Sequence, residues 1–100
     1  MANQLSVEGT IKQVFEPREI PGKDKTWLKQ DFLIEIPGTK FSKTLLVEIW
    51  GEDKINKYDL QPGLKVTAHL DLESKERNGK WFTHAQAWKI TWDASQRKWN

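Results

Sequence analysis

The sequence contains no cysteine, which excludes a disulfide framework and a thiolate metal site and leaves the redox compartment open. It has no apolar run approaching the roughly 20 residues of a membrane span, and Met1 to Leu5 begins no apolar signal region. A soluble cytoplasmic protein is therefore expected. Excess charge of one sign is also missing: 16 Lys and Arg stand against 14 Asp and Glu, a net +2. That balance excludes a protein held to duplex DNA by bulk charge alone, so local placement must decide. There is no internal repeat, no Gly-rich phosphate loop and no H-E-x-x-H motif. No Ser, His and Asp set stands out as a catalytic constellation. The two histidines, His69 and His84, lack a third fixed ligand and read as solvated or hydrogen-bonded side chains rather than a metal pair. No enzyme, cofactor or metal is expected.

What the chain does have is tryptophan, six in 100 residues, mostly beside lysines on alternating segments rather than inside apolar runs. Flat rings next to cations are what single-stranded nucleic acid requires, a π surface for unstacked bases and positive charge for phosphates. Tryptophan also fills cores and anchors interfaces, so each ring has to be placed by its strand.

One hundred residues make one domain with a single core. Val7, Gly9 and Ile11 alternate with polar residues in a first strand ending near Pro17, with Gly9 marking a bend or a close backbone approach. Arg18 to Thr26, holding Pro21, Gly22, Lys23, Asp24 and Lys25, reads as a basic, turn-rich loop. From Trp27 the period of two returns: Leu28, Phe32, Ile34 and Ile36 share one face, and Trp27, Lys29, Asp31, Leu33 and Glu35 the other. In the third strand Leu45, Val47 and Ile49 face one way while Thr44, Leu46, Glu48 and Trp50 face the other. Glu52 to Tyr58 fits two helical turns with Ile55 and Tyr58 on one face. After the Pro62-Gly63 turn comes a long alternation from Leu64 to Leu72. Asn78-Gly79 is a type I′ hairpin signal leading to a fifth strand from Lys80 to Trp92. In that strand Trp81, Ala85 and Ala87 form one set and Phe82, Trp88, Ile90 and Trp92 the other, with room for a bulge between them. Five strands with one helix between the third and fourth is the order of the all-β OB-fold barrel; a three-stranded sheet packed on a hairpin gives the same string. The domain is expected over residues 1–93, with 94–100 a short polar tail.

The run Leu46-Val47-Glu48-Ile49-Trp50-Gly51, the short helix, Gly63-Leu64-Lys65-Val66 and an aromatic-led last strand resemble the core of bacterial single-stranded-DNA-binding proteins. A small bacterial and phage family of OB domains similar to them matches further. Its Trp followed by Lys-Gln-acidic-aromatic stands here as Trp27 and Lys29-Gln30-Asp31-Phe32, its helix start as Gly51 to Lys54, and its Asn-Gly-x-Trp-Phe hairpin as Asn78 to Phe82. The resemblance implies sequence-tolerant single-stranded DNA binding in a bacterial or phage-infected cell, in replication or recombination, by a homo-oligomer (dimer or tetramer). It also implies that Trp50 is a stacking ring. The sequence ends in Arg97-Lys98-Trp99-Asn100, basic where those proteins carry an acidic tip that recruits other replication proteins, which puts recruitment by that route in doubt and leaves replication or recombination proteins as candidate partners.

Residue by residue, Trp50 points away from Ile49 and is the first stacking candidate, with packing on the helix as the alternative. Trp27, between Lys25 and Lys29, fits base stacking or subunit contact equally. Trp81 and Phe82 are strand neighbours, one expected in the core and the other on the surface, with Phe82 a nucleic-acid-binding candidate. Trp88 and Trp92 read as structural. Lys12, Arg18, Lys23, Lys25, Lys29 and Lys43 lie on the first three strands or their loops and are phosphate candidates. Leu33 and Leu46, outward on the same face, fit base contact or a subunit interface. The competing functions are a protein-binding OB module for oligomerisation or adaptor roles, and single-stranded RNA binding.

Overall fold

The structure, a computed structural model, describes residues 5–38 and 40–93; the expected tail, 94–100, lies outside them. The elements run β1 (Leu5–Val14), β2 (Arg18–Pro21), β3 (Thr26–Ile36), β4 (Lys43–Trp50), α1 (Glu52–Tyr58), β5 (Lys65–Arg77) and β6 (Lys80–Thr91). Among the described residues six strands are present where five were expected. The additional one is β2, inside the segment read as a loop: Arg18 to Pro21 pair with Lys29 to Thr26, and Gly22 N–H closes the turn on the Lys25 carbonyl at 2.9 Å. Its terminal proline suits an edge strand, which needs no donor on its outer side.

The strands form one sheet in the order β1-β5-β6-β4-β3-β2, and β1 also pairs with β3. The pairings therefore run in a ring, β1 to β5 to β6 to β4 to β3 and back to β1. One strand serves both neighbours because Leu5 to Thr10 lie against β5, whereas Thr10 to Val14 lie against β3 with a register shift between Ile11 and Gln13. At that crossing Gly9 is packed so closely that a Cβ would run into the Glu35 carbonyl oxygen, the close approach expected of it. The link between β4 and β6 is the weakest in the ring, a single parallel pairing of Glu48 with Gln86.

The core fills the ring with the faces that alternation assigned to it, except at Leu72, which is exposed. Phe32, Ile11, Ile34, Ile49, Leu70 and Val47 are fully buried, each stabilising the fold by about 1.5–3 kcal/mol relative to exposure. The helix closes one end with Ile55 and Tyr58, over the range the sequence predicted. Asp59 caps it in the left-handed region at φ 44°. The Tyr58 hydroxyl accepts the Ile90 N–H at 3.2 Å, and the Tyr58 ring meets Trp92 edge to face at 5.9 Å. Asn78 and Gly79, at φ 53° and 81°, make the expected tight turn between β5 and β6.

That hairpin corrects two readings of the last strand. Residues 71–84 are all exposed, so the outer half of β5–β6 stands away from the core as an arm. Trp81 and Phe82 do point to opposite faces, yet both are exposed, Trp81 at 67%, because no core lies beneath either face there. A register shift between His69 and Leu70 sets Lys89 and Ala87 as their partners and leaves Trp88 as the extra residue. The bulge keeps Ala85, Ala87 and Ile90 inside and turns Trp88 outward, which splits the expected Trp88, Ile90 and Trp92 stripe.

Candidate nucleic-acid interface

The outer face of β3 and β4 carries cross-strand rows fixed by their register: Lys29 opposite Trp50, Asp31 opposite Glu48, Leu33 opposite Leu46. Because Glu48 pairs with Gln86, the face continues onto β6. Along the hairpin arm the residues of that same face are Gln86 with Asp71, His84 with Glu73, Phe82 with Lys75 and Lys80 with Arg77.

At the centre of the face sits Glu48, only 8% exposed although its parity is outward. Trp50 Nε1 donates to its Oε1 at 3.0 Å, His84 Nδ1 lies 2.7 Å from Oε2, and Lys29 Nζ is 3.5 Å from Oε2. Burial alone would raise the Glu48 carboxyl pKa. The hydrogen bonds from His84 and Trp50 and the charges of Lys29 and His84 outweigh it and hold the carboxyl below its ordinary value. An ionised carboxylate only accepts, so the proton of the His84 imidazole facing it belongs on Nδ1. Glu48 thereby fixes the rotation of the Trp50 ring, whose strand end is tied to β3 by Gly51 N–H on the Leu28 carbonyl at 2.8 Å.

Around this centre the predicted residues fall into three groups. Trp27 and Trp50 line one groove with Lys25 and Lys54. Lys25 Nζ sits 4.0 Å from the centroid of the Trp27 ring, which is 42% exposed. Lys29 lies 5.6 Å from the Trp50 centroid but is sunk between Asp31 and Glu48, so it orders the face rather than reaching outward. Arg18 approaches Asp31 at 3.7 Å, and exposed Lys23 lies in the adjoining β2–β3 turn.

Phe82 is carried to the same face from the arm. Lys12, in the β1 irregularity, and Lys43, at the opposite end of β4 from Trp50, are exposed but line neither the Trp27–Trp50 groove nor a second one formed around Glu48, Trp50 and His84. Seven residues of strand at about 3.3 Å each put Lys43 roughly 23 Å from Trp50. Sequence reasoning missed the cations Lys75, Arg77 and Lys80 on the Phe82 face of the arm. Hairpin parity counted outward from Asn78-Gly79 would have found them. It placed Glu48 outward but not in the buried polar network, because the partner that covers it, His84, lies 36 residues away.

A ring of strands with one helix after the third of its members, presenting such a face, is a recurrent solution to oligonucleotide binding. The chain has the OB fold of single-stranded DNA-binding proteins. It superposes on the mitochondrial single-stranded DNA-binding protein Rim1 of S. cerevisiae with a TM-score of 0.68 at 15% identity, covering 90% of this chain and 94% of that one. With the second single-stranded DNA-binding protein of Mycobacterium smegmatis the TM-score is 0.65 at 18% identity, over 100% and 97% of the two chains. The corresponding domain of a Synechococcus sp. protein gives 0.63 at 16%, over 90% and 94%. In sequence, residues 6–91 match the family described as a domain of unknown function (DUF3127), and the chain belongs to that family. No curated protein matches it in sequence.

Proposed function

We propose that this protein binds single-stranded DNA without strong sequence preference, as a non-enzymatic OB barrel that protects the strand in replication or recombination. Bases stack on Trp50 and Trp27, with Phe82 meeting the strand from the arm. Phosphates pair with Lys23, Lys25 and Arg18 beside the two tryptophans and with Arg77 and Lys80 on the arm. The observation that carries this reading is the shared groove of Trp27 and Trp50, one ring held in place by the neutralised Glu48 network and the other accompanied by a lysine.

Stacking contributes about 1–3 kcal/mol per base, and each phosphate contact adds about 0.7 to the salt slope on single strands. Titration with oligo-dT at low salt is expected to quench tryptophan fluorescence, salt to reverse it, and Trp50→Ala to weaken binding at least tenfold. Absence of quenching at micromolar protein overturns the proposal. Parallel titrations with dT and U oligomers separate DNA from RNA preference, which depends on contact with the 2′-hydroxyl.

A second reading, a self-associating OB module, is favoured by the paired Leu33 and Leu46, the latter exposed. Assembly into a dimer or tetramer through that pair is compatible with strand binding and would multiply affinity. Mass in solution of wild type and Leu46→Glu tests it: the variant is expected to be smaller.

A further inference from the structure

A groove of about 630 Å³ runs between α1 and β6, lined by Lys54, Lys57, Tyr58, Trp88, Lys89 and Trp92 among others, with no carboxylate among the described residues of its lining. Among the described residues none of these three lysines is ion-paired. The groove of Glu48 contains Asp71 and Glu73 as well, and the groove of Trp27 and Trp50 contains Glu19, Glu52 and Asp53. The α1–β6 groove therefore opposes a polyanion with fewer lining carboxylates than either. Its ring is presented by design of the backbone: the β6 bulge turns Trp88 outward, 40% exposed, with His69 against it at 5.4 Å, and bulges commonly re-aim a side chain. Lys54 lines both this groove and the one that holds Trp27 and Trp50, so the two are contiguous around the helix.

We propose that this groove is a second track for the same single strand, its lysines holding phosphodiesters and Trp88 stacking one base, so that a bound strand leaves the outer β-face and bends around α1. The proposal rests on the single-strand reading above. A planar stacking ring together with contiguity to the first groove favours a nucleic acid over an acidic peptide, which needs the cations but not the ring.

The test compares oligo-dT of about 5 and about 16 nucleotides, the range of OB-fold site sizes, on wild type, the double variant K57Q/K89Q and Trp88→Ala. All three positions are exposed, and thermal melts verify that the variants fold. For the longer oligomer the double variant is expected to lower the salt slope by about 1.4, two contacts at about 0.7 each, and Trp88→Ala to weaken binding about tenfold. For the shorter oligomer both variants are expected to match wild type. Equal behaviour of variants and wild type on both lengths overturns the second track while leaving the primary reading intact. Failure of wild type to bind either length overturns both. Poly-glutamate is the probe for an acidic protein partner: if wild type binds it and K57Q/K89Q does not, while oligomer binding is unchanged, the groove belongs to such a partner and the proposal falls.

Discussion

Replacing Glu48 by Gln keeps an acceptor for Trp50 Nε1 but removes the charge that faces Lys29 and His84. Hydrogen bonds to a charged group contribute about 1.5–3 kcal/mol, and the Gln amide sets an NH2 donor where Oε2 accepted from His84, so that bond is lost at a cost of about 2 kcal/mol. For a domain of this size each kcal/mol shifts the melting temperature by about 4–8 °C, which places the loss at roughly 8–16 °C at pH 7. Glu48→Ala, which also strands the indole N–H, should lose more, about 3–5 kcal/mol as for a broken buried pair. The pH dependence follows from the lowered pKa of the Glu48 carboxyl. A carboxyl depressed on folding contributes its full stabilisation above its unfolded value, about 4.3, and loses it as pH falls through the lower folded value. The carboxyl's own contribution to the gap between wild type and Glu48→Gln should accordingly be fully present above about pH 5 and be lost in stronger acid, since Gln does not titrate. Thermal melts by circular dichroism across that range measure it. A variant that melts with wild type at pH 7, or a gap that persists unchanged in acid, refutes the assignment of Glu48 as an ionised hub.

Two further outcomes test the fold. Gly9→Ala sets a methyl against the Glu35 carbonyl and 2.9 Å from Ile34 Cγ1; it should cost about 1–3 kcal/mol, and an unchanged melting temperature would show that the β1–β3 crossing is looser than described. Phe32→Ala empties a fully buried site and should cost about 3–5 kcal/mol in urea unfolding.

Period-two alternation made β3, β4 and β5 legible because one face of each meets the core, and it put Trp50 and Trp27 outward. The helix was legible because Ile55 and Tyr58 fall three apart after a Gly, and the hairpin because Asn-Gly tolerates positive φ. Strand β2 was not, since only Ile20 of its four residues is even half-buried and what holds it is backbone pairing to β3. The burial of an outward Glu48 was equally invisible, because a charge can sink only when distant partners neutralise it, and those come from β3 and β6 together. Burial of one member of the Trp81-Phe82 pair was expected on the premise that every strand face meets a core, and the arm lacks one.

The single pairing of Glu48 with Gln86 makes the β4–β6 line the seam of the molecule, the place where the ring has fewest backbone cross-links. On the binding mode proposed above, a strand stretched from Trp50 on β4 to Phe82 on β6 crosses that seam as a suture crosses an incision. Occupancy and mechanical closure of the barrel then become one event.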